Sequence, residues 1–384
     1  MKHIRIIFYL VLTVLTICPA CIEEYTPDIE AAETNKYVVS GQVTTGEEYH
    51  DIYVALASSI NNPGLIPLTD CTVKIEDSKG NPFTGQESGS GAYTVYIPEA
   101  YLVTGVSFRL DITTPAGTHL VSEYEKLAEC PDIDSVYFIR ESKPTNDPDV
   151  FIEGIQFYTD LDATGYENTH YKFDVTETWE YHTEYPLEWW YDGVVHHVDP
   201  PDYSENICWT TEKIRDIYIL NTTGLQNNVF RKLPLHFVDN TTRRLICLYS
   251  ILVTQYAIST DAFDFWDQLR MNNVEQGGLY ETQPLPVKGN LSNLTKPGQT
   301  VLGYFQVASV KTKRIFVKNV PDLEILQPAS CGVYVLRNGL REFTPQDYPV
   351  YLLENKGAFL QMTNECIFCT SIGGTTVKPD YWPE

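Results

Sequence analysis

The sequence predicts a mainly β protein, with an N-terminal immunoglobulin-like β-sandwich followed by a larger β-rich domain that carries one amphipathic helix. Three observations predict this. Short apolar segments recur between clusters of Gly, Pro, Asn and Ser. Several of these segments alternate apolar and polar side chains with a period of two. The chain also holds 26 Tyr against 3 Met, a balance that suits an exported β protein.

Residues 36–128 form the predicted sandwich. Strands are expected at Tyr37–Val43, Tyr53–Ser58, Cys71–Glu76, Gly91–Ile97 and Ser107–Thr113. Asn61-Asn62-Pro63-Gly64, Lys79-Gly80-Asn81-Pro82 and Ser88-Gly89-Ser90-Gly91 punctuate them. Cys71, Val73 and Ile75 mark a strand with one buried face. Ser90 reads as a hairpin tip, because its spacing is wrong for a nucleophile elbow.

Pro131 marks the boundary of the second domain, residues 129–384. A strand at Val136–Arg140 leads into a polar, Pro-containing loop over Glu141–Asp149, then a strand at Ile152–Tyr158. Tyr171, Phe173, Val175, Trp179 and Tyr181 lie on one face of a long strand, which Glu177 alone interrupts. Later strands are expected at Ile214–Leu220, Leu245–Gln255, Thr300–Val310 and Lys313–Val317. One helix follows Thr260, the expected cap. Asp261 and Asp264 favour its first turn, and Ala262, Phe265, Trp266 and Leu269 form its apolar stripe.

The start of the chain sets the compartment. Lys2 and Arg5 precede an apolar run, Ile6 to Ile17, that is shorter than the ~20 residues a spanning helix needs. Cys18-Pro19-Ala20-Cys21 follows. Residues 1–20 thus read as a lipoprotein signal peptide, cut after Ala20 so that Cys21 receives the lipid. Cys18 is the poorer acceptor, because bulky Ile17 precedes it. The plainer alternative is an ordinary secretory signal that leaves Cys21 a simple thiol. Residues 21–35 are acid-rich, lack periodicity and read as a tether.

The formal net charge is −24. Removing the signal takes away Lys2 and Arg5 and no acid, so the mature chain is more acidic still. Such a field repels nucleic acid and anionic head groups. It keeps the surface solvated, with steering of cationic ligands as the sharper reading. Beyond Cys18 and Cys21 the cysteines are Cys71, Cys130, Cys208, Cys247, Cys331, Cys366 and Cys369. Their odd number leaves at least one thiol free. Cys247, inside the apolar run Leu245–Val253, reads as that buried free thiol.

Few constellations point to chemistry. His182, His196 and His197 stand near Asp199 and Asp202, but a His-His pair in a Pro-rich loop does not offer rigid zinc geometry. No metal site or cofactor is expected. Asp160-Leu161-Asp162-Ala163-Thr164-Gly165 opens like a calcium loop, yet Glu167 comes too early to close it, so it reads as a turn. Tyr185, Trp189, Trp190 and Tyr191 are the candidate contacts for a ligand or protein partner, unless their rings fold back onto the sheet. Cys366 and Cys369 form a CxxC that reads as a disulfide staple, with Cys331 and Cys208 as possible partners. No HExxH, GxSxG, P-loop or GxGxxG occurs. A hidden pair of glycosidase carboxylates among 51 acids stays open, because their separation is a spatial property.

Several stretches together resemble one known family. They are Leu248-Tyr249-Ser250 through Tyr256-Ala257-Ile258-Ser259 before Phe265-Trp266; Gly289-Asn290-Leu291; and Val301-Leu302-Gly303-Tyr304-Phe305. The ending adds Cys366-x-x-Cys369, Gly373-Gly374-Thr375-Thr376 and Lys378-Pro379-Asp380-Tyr381-Trp382. These resemble the DUF4249 family of Bacteroidetes outer-membrane lipoproteins. The resemblance implies a surface accessory of a TonB-dependent transporter, because members tend to be encoded beside such transporters. It brings no catalytic residues. Glu23 and Glu24 behind the lipidated cysteine resemble the signal for the outer leaflet. The expectation is therefore a non-enzymatic, surface-anchored lipoprotein that partners a transporter and binds an unknown ligand. The alternatives are a surface hydrolase acting on glycans or peptides, and an adhesin or pilus subunit. A pilin would be trimmed at an early Arg, and the first after Cys21 is Arg109, which is too late.

Overall fold

The computed structural model describes residues 36–58, 64–147, 149–275, 287–326 and 330–384. The expected signal peptide, Cys21 and the tether lie outside the described residues. In chain order the strands begin with β1 (Tyr37–Thr44), β2 (Tyr49–Ala57), β3 (Leu65–Pro67), β4 (Thr72–Asp77), β5 (Pro82–Gly89), β6 (Ala92–Tyr96), β7 (Ser107–Thr113), β8 (His119–Ser122) and β9 (Glu125–Lys126). Next come β10 (Ser135–Pro144), β11 (Phe151–Asp162), β12 (His170–His182), β13 (Leu187–Tyr191), β14 (Val195–Asp202), β15 (Ile207–Lys213), β16 (Tyr218–Asn221), β17 (Val229–Asp239) and β18 (Leu248–Ala257). Helix α1 (Thr260–Glu275) precedes β19 (Lys288–Asn293), β20 (Thr300–Leu302), β21 (Phe305–Lys318), β22 (Val333–Val335), β23 (Val350–Asn355) and β24 (Ala358–Met362).

The N-terminal strands do not make the expected sandwich. Hydrogen bonds run from β1 through β2, β6, β5, β4, β7, β8, β19 and β20 and return to β1, closing a nine-stranded, barrel-like ring. The physical reason is that β19 and β20, from residues far along the chain, fill the gap between β8 and β1. Closure removes the edges that an open sandwich would leave. Alternation builds the interior: Ile52 and Val54 of β2, Val73 and Ile75 of β4, and Phe108, Leu110 and Ile112 of β7 are buried together.

The seam of the ring explains one motif of the resemblance. Gly303 has φ +95°, and a Cβ there would lie 1.9 Å from the Val39 carbonyl oxygen. A Cβ on Gly289 would lie 1.5 Å from the Gly303 carbonyl oxygen. Only glycine allows three backbones to meet so closely. Asn290 then pins the crossing. Its side chain donates to the Phe305 carbonyl at 2.8 Å and accepts from the Phe305 N–H at 3.0 Å.

β21 joins the ring to the second layer system. Its first residues pair parallel with β1, and from Ser309 onward it pairs antiparallel with β18. The sheet β15-β12-β18-β21 faces a three-stranded sheet, β10-β11-β17. Between them lie Phe157, Tyr171, Phe173, Val175, Tyr249, Ile251 and Val253. The two-layer packing expected at the N-terminus is thus found here. The polar loop expected from Glu141 starts later, because Glu141–Pro144 extend β10 opposite Phe151–Gly154. Of the strand expected at Ile214–Leu220 only Tyr218–Leu220 is strand, in β16; β15 ends at Lys213, and both pair with β12. A third sheet, β14-β13-β23-β24-β22, has its own small core at Met362, Cys366 and Ile367. No helix among the described residues is long and apolar enough to cross a membrane.

The expected helix is present, but its cap differs. Ser259, not Thr260, accepts the Ala262 N–H through its hydroxyl, at 3.1 Å. Ala262 and Phe265 pack on Tyr256, Ile258, Tyr304 and Ala308, where ring and sandwich meet.

Candidate ligand cleft and C-terminal clamp

An open cleft of about 510 Å³ lies where α1 leans over the outer wall of the ring. Alternation in β1 and β2 sends Val39, Ile52 and Val54 inward, so Ser40, Gln42, Asp51 and Tyr53 face outward to form its floor. Phe265, Trp266 and Leu269 of the helix form the opposite wall. The Trp266 indole N–H donates to Gln306 Oε1 at 2.7 Å. That leaves Gln306 Nε2 buried without a partner, and Gln306 also lines the cleft. An unpaired buried amide next to an open cleft is a group that a ligand acceptor can satisfy. The size falls within the usual range for small-molecule sites, about 300–1,000 Å³.

The back of Trp266 is held by charge. Lys172 Nζ sits 4.6 Å from the Trp266 ring centroid and 4.9 Å from that of Tyr256. Lys172 is ion-paired with Asp174, which Lys213 also reaches at 2.9 Å. Burial acts to raise the Asp174 carboxyl, but the two ammonium groups outweigh it and hold it below the usual range. Burial lowers Lys172 despite Asp174. An adjoining cleft of about 890 Å³ shares Lys213 and Trp266 with the first. His50 also borders the smaller cleft. Burial outweighs the Asp51 charge and brings its pKa down to about 4.

The aromatic residues singled out in the sequence lie elsewhere. Leu187–Tyr191 is not a loop but β13, in the third sheet. Tyr185 packs on that sheet's small core. Trp189 stacks on His197 and Trp190 on His196, both at 3.9 Å between ring centroids. The two pairs fall on opposite faces of the hairpin, since neighbouring residues of a strand point oppositely. Tyr191 meets Tyr348 edge-on at 5.4 Å. These rings are half-buried, and their stacking partners are the histidines weighed as zinc ligands. His196 and His197 sit on strand β14 rather than in a loop.

The CxxC cysteines do not bond to each other. Cys369 bonds Cys208 and Cys366 bonds Cys331. The first bridge ties the C-terminal tail to β15, and the second closes the third sheet. Cys71, Cys130 and Cys247 are unbridged, and Cys247 is partly rather than fully buried. Beyond Cys369 the tail lies along β12. Gly374 N–H donates to the Tyr181 hydroxyl at 3.1 Å, and a Cβ on Gly374 would lie 2.5 Å from that oxygen. Thr375 exchanges both backbone hydrogen bonds with Trp209. The Arg314 guanidinium lies 3.5 Å over the Tyr381 ring, and the Trp382 indole donates to Glu180 at 2.7 Å. The glycines and aromatics of the C-terminal motif therefore build a clamp.

Sequence reasoning missed the cleft because its parts come from β1, β2, α1 and β21. The Phe265-Trp266 pair was the visible signal, and it read as packing. The turn expected at Asp160–Gly165 is confined to its end, at Thr164–Gly165, because Asp160–Asp162 finish β11; Asp162 accepts from the Thr164 N–H, and Arg231 pairs with Asp162 at 3.2 Å.

This is a mainly β protein in which a barrel-like ring and a two-layer sandwich share one long strand, with a cleft at the join. The sequence matches the family model described as "Domain of unknown function (DUF4249)" over residues 22–314, and the chain belongs to that family. The match ends before the C-terminal clamp. No curated protein matches the chain.

Proposed function

We propose that this protein is an outer-membrane lipoprotein of the Bacteroidetes type, anchored through Cys21 on the outer face. It acts without catalysis as an accessory of a TonB-dependent transporter, holding a small ligand in the cleft beside α1. The observation that carries the ligand-binding part is the cleft, with aromatic and amide groups on its walls and the unpaired Gln306 amide at its side. The signal-like start and the acidic tether support the anchored setting. The half-buried rings of Trp189, Trp190 and Tyr191 on a small peripheral sheet suit a contact with the transporter.

The test is affinity capture of the tagged, full-length protein from detergent-solubilised outer membranes. The expected result is co-purification of a transporter barrel, with a small molecule that is released on denaturation and missing from a Trp266→Ala variant. Recovery of the intact lipoprotein with no barrel, or an unmodified Cys21 on protein shed to the medium, would overturn the proposal.

A further inference from the structure

We propose that Glu180, His182 and Cys247 form a binding site for a thiophilic first-row divalent cation of the zinc class. Their donor atoms all lie within 4.8 Å of one another. Glu180 and His182 are two apart on β12 and so share one face, and Cys247 immediately precedes the neighbouring strand β18. The set combines a thiol, an imidazole and a carboxylate, the three side-chain types that zinc prefers.

The geometry is held by a contact between two of the donors and by partners beyond them. His182 Nε2 is 2.8 Å from Glu180 Oε1. The other oxygen of Glu180 accepts the Trp382 indole N–H at 2.7 Å, and Trp382 is 5% exposed. The carboxylate is therefore aimed from behind by the C-terminal clamp, as outer partners aim metal ligands. The His182 backbone hydrogen-bonds the Cys247 sulfur, and Lys318 also bears on it. Burial and the Glu180 charge outweigh both and raise the thiol above its ordinary range, so a cation binds there by displacing the thiol proton. The His182 side chain is 47% exposed, which leaves a fourth position open to water. Zinc bonds of about 2.0–2.3 Å put tetrahedral donors about 3.5 Å apart, so the His182–Glu180 pair at 2.8 Å opens slightly to admit the ion while all three donors stay within 4.8 Å of one another. The exposed imidazole can follow by a rotamer change.

This site lies on the clamp face of the sheet and does not depend on what the cleft binds. Neither histidine of the Trp-stacked hairpin takes part. Among the unbridged thiols of the described residues, Cys247 is the one grouped with a histidine and a carboxylate.

Cobalt(II) titration of the full chain, with both disulfides intact and oxygen excluded, tests the proposal. One equivalent is expected to raise a thiolate-to-cobalt charge-transfer band with tetrahedral ligand-field bands, which zinc then displaces. Cys247→Ser abolishes the charge-transfer band, and His182→Ala weakens binding at least tenfold. Trp382→Phe keeps the ring packing and weakens binding about tenfold, as loss of an outer partner does. If Cys247→Ser fails to fold, the His182→Ala variant, altered at an exposed ring, carries the same test. No charge-transfer band at stoichiometric cobalt would overturn the proposal. So would a band unchanged in Cys247→Ser, which would place the metal on another thiol, Cys71 or Cys130 among the described residues.

Discussion

The ring and the sandwich each bury one glutamate, and the two are treated oppositely. In the sandwich, the Glu177 side chain is 0% exposed, yet it accepts from Arg244 Nε at 2.9 Å and from the Tyr249 hydroxyl at 2.9 Å, with His236 Nε2 at 3.4 Å. Burial pushes its pKa up, but His236, Arg244 and Tyr249 outweigh it, and the carboxyl is held below its usual range. In the ring, Glu125 is 3% exposed and has no cation. Tyr304 and Asn290 donate to one oxygen, and the other has no partner. Burial wins over the neutral hydrogen bonds of Ser259, Tyr304 and Asn290, and its pKa is raised. Burial alone does not decide whether a carboxyl stays charged; the partner set does.

The sharpest way to break this comparison is Glu177→Gln. It leaves the Arg244 guanidinium, which also reaches Glu212 at 3.2 Å and covers the Trp179 ring, without its buried counter-charge. A loss of about 3–5 kcal/mol is expected from urea unfolding at neutral pH. The wild-type contribution of Glu177 is fully present above the unfolded carboxyl range and is lost as pH falls through the depressed folded value. The variant should therefore converge on wild type in acid. A constant gap across pH would mean that shape, not charge, is what Glu177 supplies.

The two regions also close their edges differently. The ring closes by backbone pairing through glycines, whereas the sandwich edge at β15 is fastened by Cys208–Cys369, a bridge spanning 161 residues. Replacing that pair by alanines is expected to cost about 3 kcal/mol. Replacing Cys331 and Cys366, only 35 residues apart, should cost about 1 kcal/mol less on loop-closure grounds. Gly303→Ala meets both a left-handed backbone and the Val39 carbonyl, and a loss of about 2 kcal/mol is expected from the ring. Calorimetry would separate these effects if the ring and sandwich melt apart.

What the sequence disclosed follows from range. Strand interiors were legible wherever alternation is local: Ser107–Thr113 is β7 to the residue, and the one-face reading of Tyr171 to Tyr181 survives in the buried side of β12. Glu177 was visible as a polar break on an apolar face, but its partners come from β17, β18 and the turn before β18, so its role was not. Ring closure was illegible because β19 and β20 join strands more than a hundred and fifty residues away, and nothing local announces such a pairing. The glycines of Gly289 and Gly303 were seen as part of a resemblance; their reason is a backbone crossing that no one-dimensional pattern encodes. The four cysteines of the two bridges were identified, whereas their pairing depends on where the tail runs.

The smallest effect is expected at Glu125→Gln, and it is the most discriminating. The glutamine oxygen can keep the contacts from Tyr304 and Asn290, and its amide replaces an oxygen that had no partner. Nothing charged is left behind, so the change at neutral pH should lie within about 1 kcal/mol and can favour the variant. The sign with pH is opposite to that of Glu177. A carboxyl raised on folding contributes stability below its unfolded value and loses it as pH rises through the folded value. Asp261 adds to this by raising Glu125 further. Wild type should therefore weaken relative to Glu125→Gln on going from acid to neutral pH, while Glu177→Gln weakens relative to wild type over the same rise. If both glutamines cost the same at every pH, the two burial sites are electrostatically alike and the partner sets around them do not matter.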